Sequence, residues 1–343
     1  MRVLVLGGTV FLSHAVAAEA LRRGHEVVCA ARGSSGRVPD GARLVRVDRD
    51  QPDGVRVLAG ERFDAVVDVA TMSHRWVLDA LRAVGADAGH WTFVSSINVY
   101  ADAVTPHQNE DAPLHAPIAE EAPPEERIQH PYLYGAIKAA SEQAVREHLG
   151  DRAFILRSGL IVGPGDVSDR FGYWPARLSQ GGRVAVPDAA DQLTQWLDVR
   201  DLASWIVDAG EQRLGGVFNG VGSTHRLGDF LGGALAAVGA PGTELVPVPV
   251  PLLESEQVQY WRGPTSLPLW MPDEDAGFCA HDNARALAAG LSPRSAEQTL
   301  RDVLAHERSL GLARERRAGL TRAEETALLA ALDRLSEPLE VSS

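Results

Sequence analysis

The sequence predicts an α/β protein built on a doubly wound parallel sheet. Three observations carry that prediction. Short continuous apolar runs recur from residue 2 to residue 219, and runs of this kind mark strands buried on both faces. Stretches with helical spacing alternate with them. The first run ends in Gly7-Gly8-Thr9 and leads directly into a helical stretch, the position of the first turn of a βαβ unit.

Taken in order, Arg2-Val-Leu-Val-Leu6 reads as strand one and residues 10–23 as a helix that Gly24 can cap. Residues 25–31 read as strand two. The free N–H groups and positive dipole end of that helix suit a pyrophosphate. Strand two ends in Ala31-Arg32, with Arg37 close behind, where an acid would hold a ribose 2′-OH. A cation there pairs with a 2′-phosphate, so NADP(H) is expected over NAD(H). Leu44-Val-Arg-Val47 reads as strand three, and Asp48 after it is placed to accept from an adenine amino group or to close a turn. Residues 64–70 form strand four, with His74 and Trp76 in the loop beyond, at the carboxyl edge where ligands bind. Trp91-Thr-Phe-Val94 is strand five and runs into Ser95-Ser-Ile-Asn-Val-Tyr100. Residues 101–130 read as a polar surface loop in which Glu120, Glu121, Glu125 and Glu126 are solvated.

Next comes Tyr134-Gly-Ala-Ile-Lys138, inside the helical run that begins at Pro131. A spacing of four puts the phenol and the ammonium on one helix face. A cation there lowers a tyrosine pKa and lets the phenol trade a proton with an alcohol or carbonyl. Residues 152–157 form strand six and 217–219 a further strand, with 195–203 a strand entering a helix between them. Arg170-Phe-Gly-Tyr-Trp-Pro175 reads as the wall of a substrate cleft, while prolines at 247, 249 and 251 bar a central strand there. Trp261 and Trp270 lie in a proline-rich loop where packing is their commoner fate. Residues 296–310 and 321–335 have the spacing of closing helices.

Composition bounds the function. The 343 residues are 45% apolar and carry 33 basic against 46 acidic side chains, a net charge of −13, which disfavours a nucleic-acid partner. Two cysteines, Cys29 and Cys279, are too few for a disulfide framework, and Cys29 falls in a buried strand as an inert thiol. No metal motif, signal peptide or membrane-length apolar run is visible, so a cytoplasmic protein with a small-molecule substrate is expected.

The Gly7-Gly-Thr turn, Ser95-Ser96, Tyr134-x-x-x-Lys138 and Arg157 followed by Gly163-Pro164, in that order, resemble the extended short-chain dehydrogenase/reductase superfamily, in its NAD-dependent epimerase/dehydratase branch and near its reductase-like members. The resemblance implies a Rossmann domain of about seven parallel strands and a small C-terminal substrate domain. Its expected bounds are 1–165 with parts of 195–225 for the first, 166–195 and 226–310 for the second, and a helical extension over 311–343. The resemblance also implies that Tyr134 is the acid/base, that Lys138 lowers its pKa and holds the nicotinamide ribose, and that Ser96 bonds the substrate oxygen. Cofactor contacts are expected from Gly7, Thr9, Val10, Phe11, Leu12, Arg32, Asp48, Ala70, Tyr134 and Lys138. Substrate contacts are expected from His74, Tyr173, Trp174, Arg177 and Trp196. A homodimer through helices flanking the sheet is the superfamily default.

Departures narrow the activity. The superfamily's G-x-x-G-x-x-G turn reads Gly7, Val10, Ser13 here. The Asp-Glu pair of 4,6-dehydratases is replaced by Ile97 and Asn98, which rejects that reaction. The diphosphate-gripping arginine of nucleotide-sugar epimerases is Thr194, with Arg177 or Arg262 as substitutes. An NADP(H)-dependent oxidoreductase acting on a carbonyl or secondary alcohol is therefore expected, ahead of a cofactor-retaining sugar epimerase and of a non-catalytic cofactor- or RNA-binding relative.

Overall fold

The computed structural model describes residues 1–70, 73–119 and 131–336. The four loop glutamates expected to be solvated, Glu120, Glu121, Glu125 and Glu126, lie outside the described residues. The chain forms two units, one of Met1–Ile161, Gln195–Ser223 and Gly277–Pro293, the other of Val162–Thr194, Thr224–Ala276 and Arg294–Ser343.

The first unit is built on seven strands: β1 (Arg2–Leu6), β2 (Glu26–Ala31), β3 (Arg43–Arg46), β4 (Ala65–Asp68), β5 (Trp91–Ser96), β6 (Ala153–Ser158) and β7 (Gly216–Gly220). They lie in the order β7-β6-β5-β4-β1-β2-β3, every neighbour parallel. Side chains alternate across such a sheet. Val3 and Val5 of β1 therefore join one core with α1 (Phe11–Arg22) and α4 (Val199–Gln212). Leu4 and Leu6 join the other, with α2 (His74–Ala80) and the C-terminal half of α3 (Pro131–Leu149). Burial on both faces is why these strands read as unbroken apolar runs. The chain reverses direction between β1 and β4, and ligands of open α/β sheets bind at the carboxyl ends beside such a switch. Cys29 is fully buried in β2, and burial pushes its thiol up to about 11, so it is inert as expected.

The second unit holds a two-stranded parallel sheet, Arg183–Pro187 with Glu244–Val248, and the helices Tyr173–Leu178, Leu227–Val238, Ala296–Leu310 and Arg322–Ser336. The alternating prolines fit: Glu244–Val248 pairs on one side only, and Pro251 lies in the first turn of the next helix. Here the structure corrects the sequence reading. Tyr173 and Trp174 do not line a cleft; both are at or below 2% exposed. The Tyr173 ring occupies the space a Cβ on Gly319 would need, and the Trp174 indole donates to the Pro268 carbonyl at 2.9 Å. Arg177 is no substrate anchor either. Its Nε meets Glu325 at 2.6 Å, and its two Nη atoms donate to the Gly181 and Arg183 carbonyls at 2.9 and 2.6 Å. Glu325 belongs to helix Arg322–Ser336, so that helix is part of the second unit rather than an extension. Residues 277–293 likewise fall in the first unit, not in the second as expected.

Removing one partner of a buried ion pair leaves the other uncompensated. Arg177→Ala is expected to lower unfolding stability by about 3–5 kcal/mol in urea denaturation, whereas an exposed arginine such as Arg226→Ala changes it by less than about 1 kcal/mol.

Candidate active site

At the end of β1 the chain turns through Gly7 and Gly8, both with positive φ. A Cβ on Gly8 would sit 2.4 Å from the Cys29 sulfur, so only glycine lets the turn lie against β2. Phe11, at the start of α1, has φ +38°, a strained value for an aromatic residue. Ser13 stands where the fingerprint has its third glycine, and its hydroxyl donates back to the Val10 carbonyl at 2.8 Å. The loop after β2 folds against the turn, with Gly36 close over the Thr9 carbonyl. Leu12 corrects its expected role in part: its side chain is core, so only its backbone can face a phosphate. A close backbone turn feeding a twelve-residue helix fits a pyrophosphate.

Arg32 is more than half exposed and stands 3.8 Å from Asp50 Oδ2, a loose pair that water screens. Asp48 accepts from the Asp50 N–H at 3.1 Å, the local turn bond that the sequence left open beside adenine binding. The Trp76 indole donates to Asp50 at 3.1 Å, and the Arg49 guanidinium lies over its ring. His74 is the first residue of α2 and is buried. Trp196 is buried in the same unit, with its carbonyl against Gly222.

The proton-transfer group is set by a close approach. A Cβ on Gly135 would lie 1.9 Å from the Asn98 carbonyl oxygen, so α3 touches the turn Ile97–Val99 backbone to backbone. That contact brings Tyr134 within hydrogen-bond reach of Ser96. The Ser96 hydroxyl donates to Asn98 Oδ1 at 2.8 Å and accepts the Asn98 N–H at 3.2 Å. Asn98, which replaces a dehydratase acid, thus orients Ser96.

Lys138 lies 3% exposed beneath the ends of β4 and β5. Its Nζ donates to the Ala70 and Val94 carbonyls, each at 2.6 Å, and stands 4.8 Å from the Phe93 ring centroid and 5.9 Å from that of Tyr134. Ala70, expected among the cofactor contacts, gives its carbonyl to the lysine. Burial pushes Lys138 down to about 8, while the charges of Asp68 and Glu142 pull it back up and Arg49 opposes them. Tyr134 departs from the expectation. Burial raises its pKa, and the bond to Ser96 only moderates the rise. The ammonium is spent on two carbonyls, so the phenol stays protonated at neutral pH.

Sequence reading missed two buried acids, Asp68 and Glu142, and gave no structural role to Arg157, one of its motif residues. Asp68, at the tip of β4, is fully buried, pairs with Arg49 at 2.8 Å and accepts from the Ala70 N–H at 2.9 Å. Glu142 and Arg157 pair at 2.8 Å with side chains 3% exposed. An acid inside an apolar strand and a third polar residue in the series 134, 138, 142 were the available signals. Among the described residues no His, Cys, Asp and Glu group could hold a metal ion, and no helix is long and apolar enough to cross a membrane.

This is a nicotinamide-type Rossmann unit carrying a serine, tyrosine and lysine beside its carboxyl edge. The sequence profile of the NAD dependent epimerase/dehydratase family matches residues 3–219, and the chain belongs to that family. It is 30% identical over 205 residues to 2'-dehydrokanamycin reductase of Streptomyces kanamyceticus, covering 57% of this chain and 53%, about half, of that relative. It is 25% identical over 275 residues to the epimerase family protein SDR39U1 of Bos taurus, covering 74% of this chain and 86% of the relative. Among solved structures it resembles the Bordetella bronchiseptica enzyme WbmH in complex with NAD+ (TM-score 0.65, 18% identity, 90% of this chain and 99% of that one). It also resembles the UDP-glucose 4-epimerase of Thermotoga maritima (TM-score 0.64, 17% identity, 90% and 99%). At these identities the structures speak for the fold alone.

Two outcomes are expected. Gly135→Ala forces α3 off the Asn98 carbonyl and costs about 3 kcal/mol in thermal or urea unfolding. Because Lys138 titrates near 8 folded and near 10.5 unfolded, the unfolded chain binds the extra proton between those values. Stability of the wild type relative to Lys138→Met should therefore rise from pH 8 to pH 10.5, by up to about 1.4 kcal/mol per pH unit. A difference curve that is flat across this window contradicts the buried ammonium.

Proposed function

We propose that the protein is an NADP(H)-preferring oxidoreductase that interconverts a carbonyl and a secondary alcohol on a small metabolite. The observation that carries this reading is the Ser96, Tyr134 and Lys138 set, with Tyr134 kept as a neutral phenol. The turn at Gly7–Gly8 and the backbone from Thr9 to Leu12 would hold the pyrophosphate, with Lys138 at the nicotinamide ribose. Arg32 would meet a 2′-phosphate, since its pair with Asp50 is loose and exposed. When bound, the nicotinamide supplies or accepts the hydride.

The chain's own residues do the rest. In the reducing direction Tyr134 gives its phenolic proton to the substrate oxygen as charge develops there. Its raised pKa keeps it in the donor form, so reduction needs no prior deprotonation. Ser96, its hydroxyl turned from Asn98 Oδ1, donates a hydrogen bond to the same oxygen and stabilises the developing charge. In the oxidising direction Tyr134 must first be a phenolate, and the hydrogen bond from Ser96 is what favours that form. Ile97 and Asn98 supply no acid for eliminating water. The similarity to a 2'-dehydrokanamycin reductase makes ketones of that kind the first substrates to try.

NADPH and NADH are titrated against the protein, and a panel of keto sugars and simpler ketones is then followed by nicotinamide absorbance. Tighter NADPH binding that Arg32→Ala weakens, and stoichiometric NADPH oxidation that Tyr134→Phe slows by about 10²–10⁴-fold, are the expected results. Turnover without net cofactor change would make the protein an epimerase instead. A Tyr134→Phe protein as active as wild type would sink the reading altogether.

A further inference from the structure

The ends of β5 and β6 meet α3 at one buried carboxylate, Glu142, on the same face of α3 as Tyr134 and Lys138. Glu142 Oε1 accepts from the Ser95 hydroxyl at 2.5 Å, which ties α3 to the residue beside Ser96. Arg157, in β6, donates to both carboxylate oxygens through Nε at 3.1 Å and Nη2 at 2.8 Å. Its Nη1 donates to the Tyr100 hydroxyl at 3.1 Å and the Glu110 carbonyl at 2.9 Å. The Tyr100 hydroxyl donates to Asn219 of β7 at 2.6 Å, and the Asn219 N–H donates to Glu110 Oε1 at 2.8 Å. The network therefore joins α3 to the ends of β5, β6 and β7 and to the loop after β5. Two of those pieces, β5 and α3, carry Ser96 and Tyr134.

Stability alone does not call for this arrangement. A buried ion pair is seldom better than an apolar pair of the same volume, because desolvating two charges offsets their attraction. What the charged version adds is direction: a bidentate guanidinium and a short hydroxyl bond fix α3 in translation and rotation against the strand ends. It also places a fixed negative charge one turn beyond Lys138.

We infer that Glu142 is a positioning residue for the proposed site, anchored by Arg157 and Ser95, and that it holds Lys138 in register with Tyr134 and Ser96. The inference rests on the proposed reading that Lys138 holds the nicotinamide ribose. The groups facing Lys138 are Asp68 from β4, Arg49 from the segment after β3, Glu142 from its own helix, the Phe93 ring and Val94 carbonyl from β5, the Ala70 carbonyl and the Tyr134 ring. Of these charges only Asp68 and Glu142 favour the ammonium. Removing either lets the lysine lose its proton at lower pH.

The test is NADPH affinity of the full chain, read by tryptophan fluorescence quenching from about pH 6 to about pH 10. The wild type should lose affinity on an alkaline limb centred near 8, and Lys138→Met should lack that limb. Glu142→Gln should move the limb down by about one pH unit. A merely structural Glu142 would lower the melting temperature and weaken binding equally at every pH, with the limb unmoved, and that result overturns the inference. Should Glu142→Gln fail to fold with Arg157 left unpaired, Glu142→Gln/Arg157→Met must still move the limb down, by less than the single variant because an opposing cation leaves with the carboxylate. If Lys138→Met binds NADPH with the wild-type affinity and pH profile, the reading of Lys138 itself has failed, which is a different result from an unmoved limb in the Glu142 variants.

Discussion

The site depends on one contact between two backbones. Because residue 135 has no side chain, α3 can press against the Asn98 carbonyl, and the contacts its own side chains make follow from how close it comes. Tyr134 then meets Ser96, the Lys138 stem runs under the ends of β4 and β5, and Glu142 arrives at Arg157. A helix a couple of ångströms further out would leave all three side chains short of their partners. Helix periodicity sets their spacing along the axis, but the glycine sets their depth.

Depth has an electrostatic cost. The first unit buries Lys138, Asp68 and the Glu142–Arg157 pair near one another, with Arg49 almost covered. Each charge is hydrogen-bonded, as a low-dielectric interior requires. Yet Lys138 still sits well below its ordinary pKa, so its solvation is only partly replaced. Burying an ammonium in this way costs the fold stability that an apolar side chain would not.

Much of this was legible in the sequence. Seven parallel strands, the first glycine turn and the 134/138 pair are local patterns, and apolar runs and spacings of four encode them directly. The acidity of Tyr134 was not legible, because it depends on where the lysine nitrogen points, and two backbone carbonyls from other strands decide that. Tyr173, Trp174 and Arg177 misled for a similar reason. Aromatics and an arginine look alike in a cleft wall and in a core. What separates them here is Glu325, almost 150 positions later, and a glycine at 319. The bounds of the units failed at 277–293 because a segment returning to an earlier unit has no compositional mark.

That returning segment has a consequence for how the molecule is made. Residues 277–293 bring His281 to stack on Tyr100 at 4.8 Å between ring centroids, the Asp282 carbonyl to Asn219, and Arg285 to Glu110 and Asp111. On the ribosome these residues emerge only after most of the second unit has been synthesised. The nascent sheet must wait with Tyr100 and the loop after β5 uncovered, and vectorial, one-unit-at-a-time folding cannot finish either half. The two units are interleaved in synthesis, and neither can be excised as a continuous fragment.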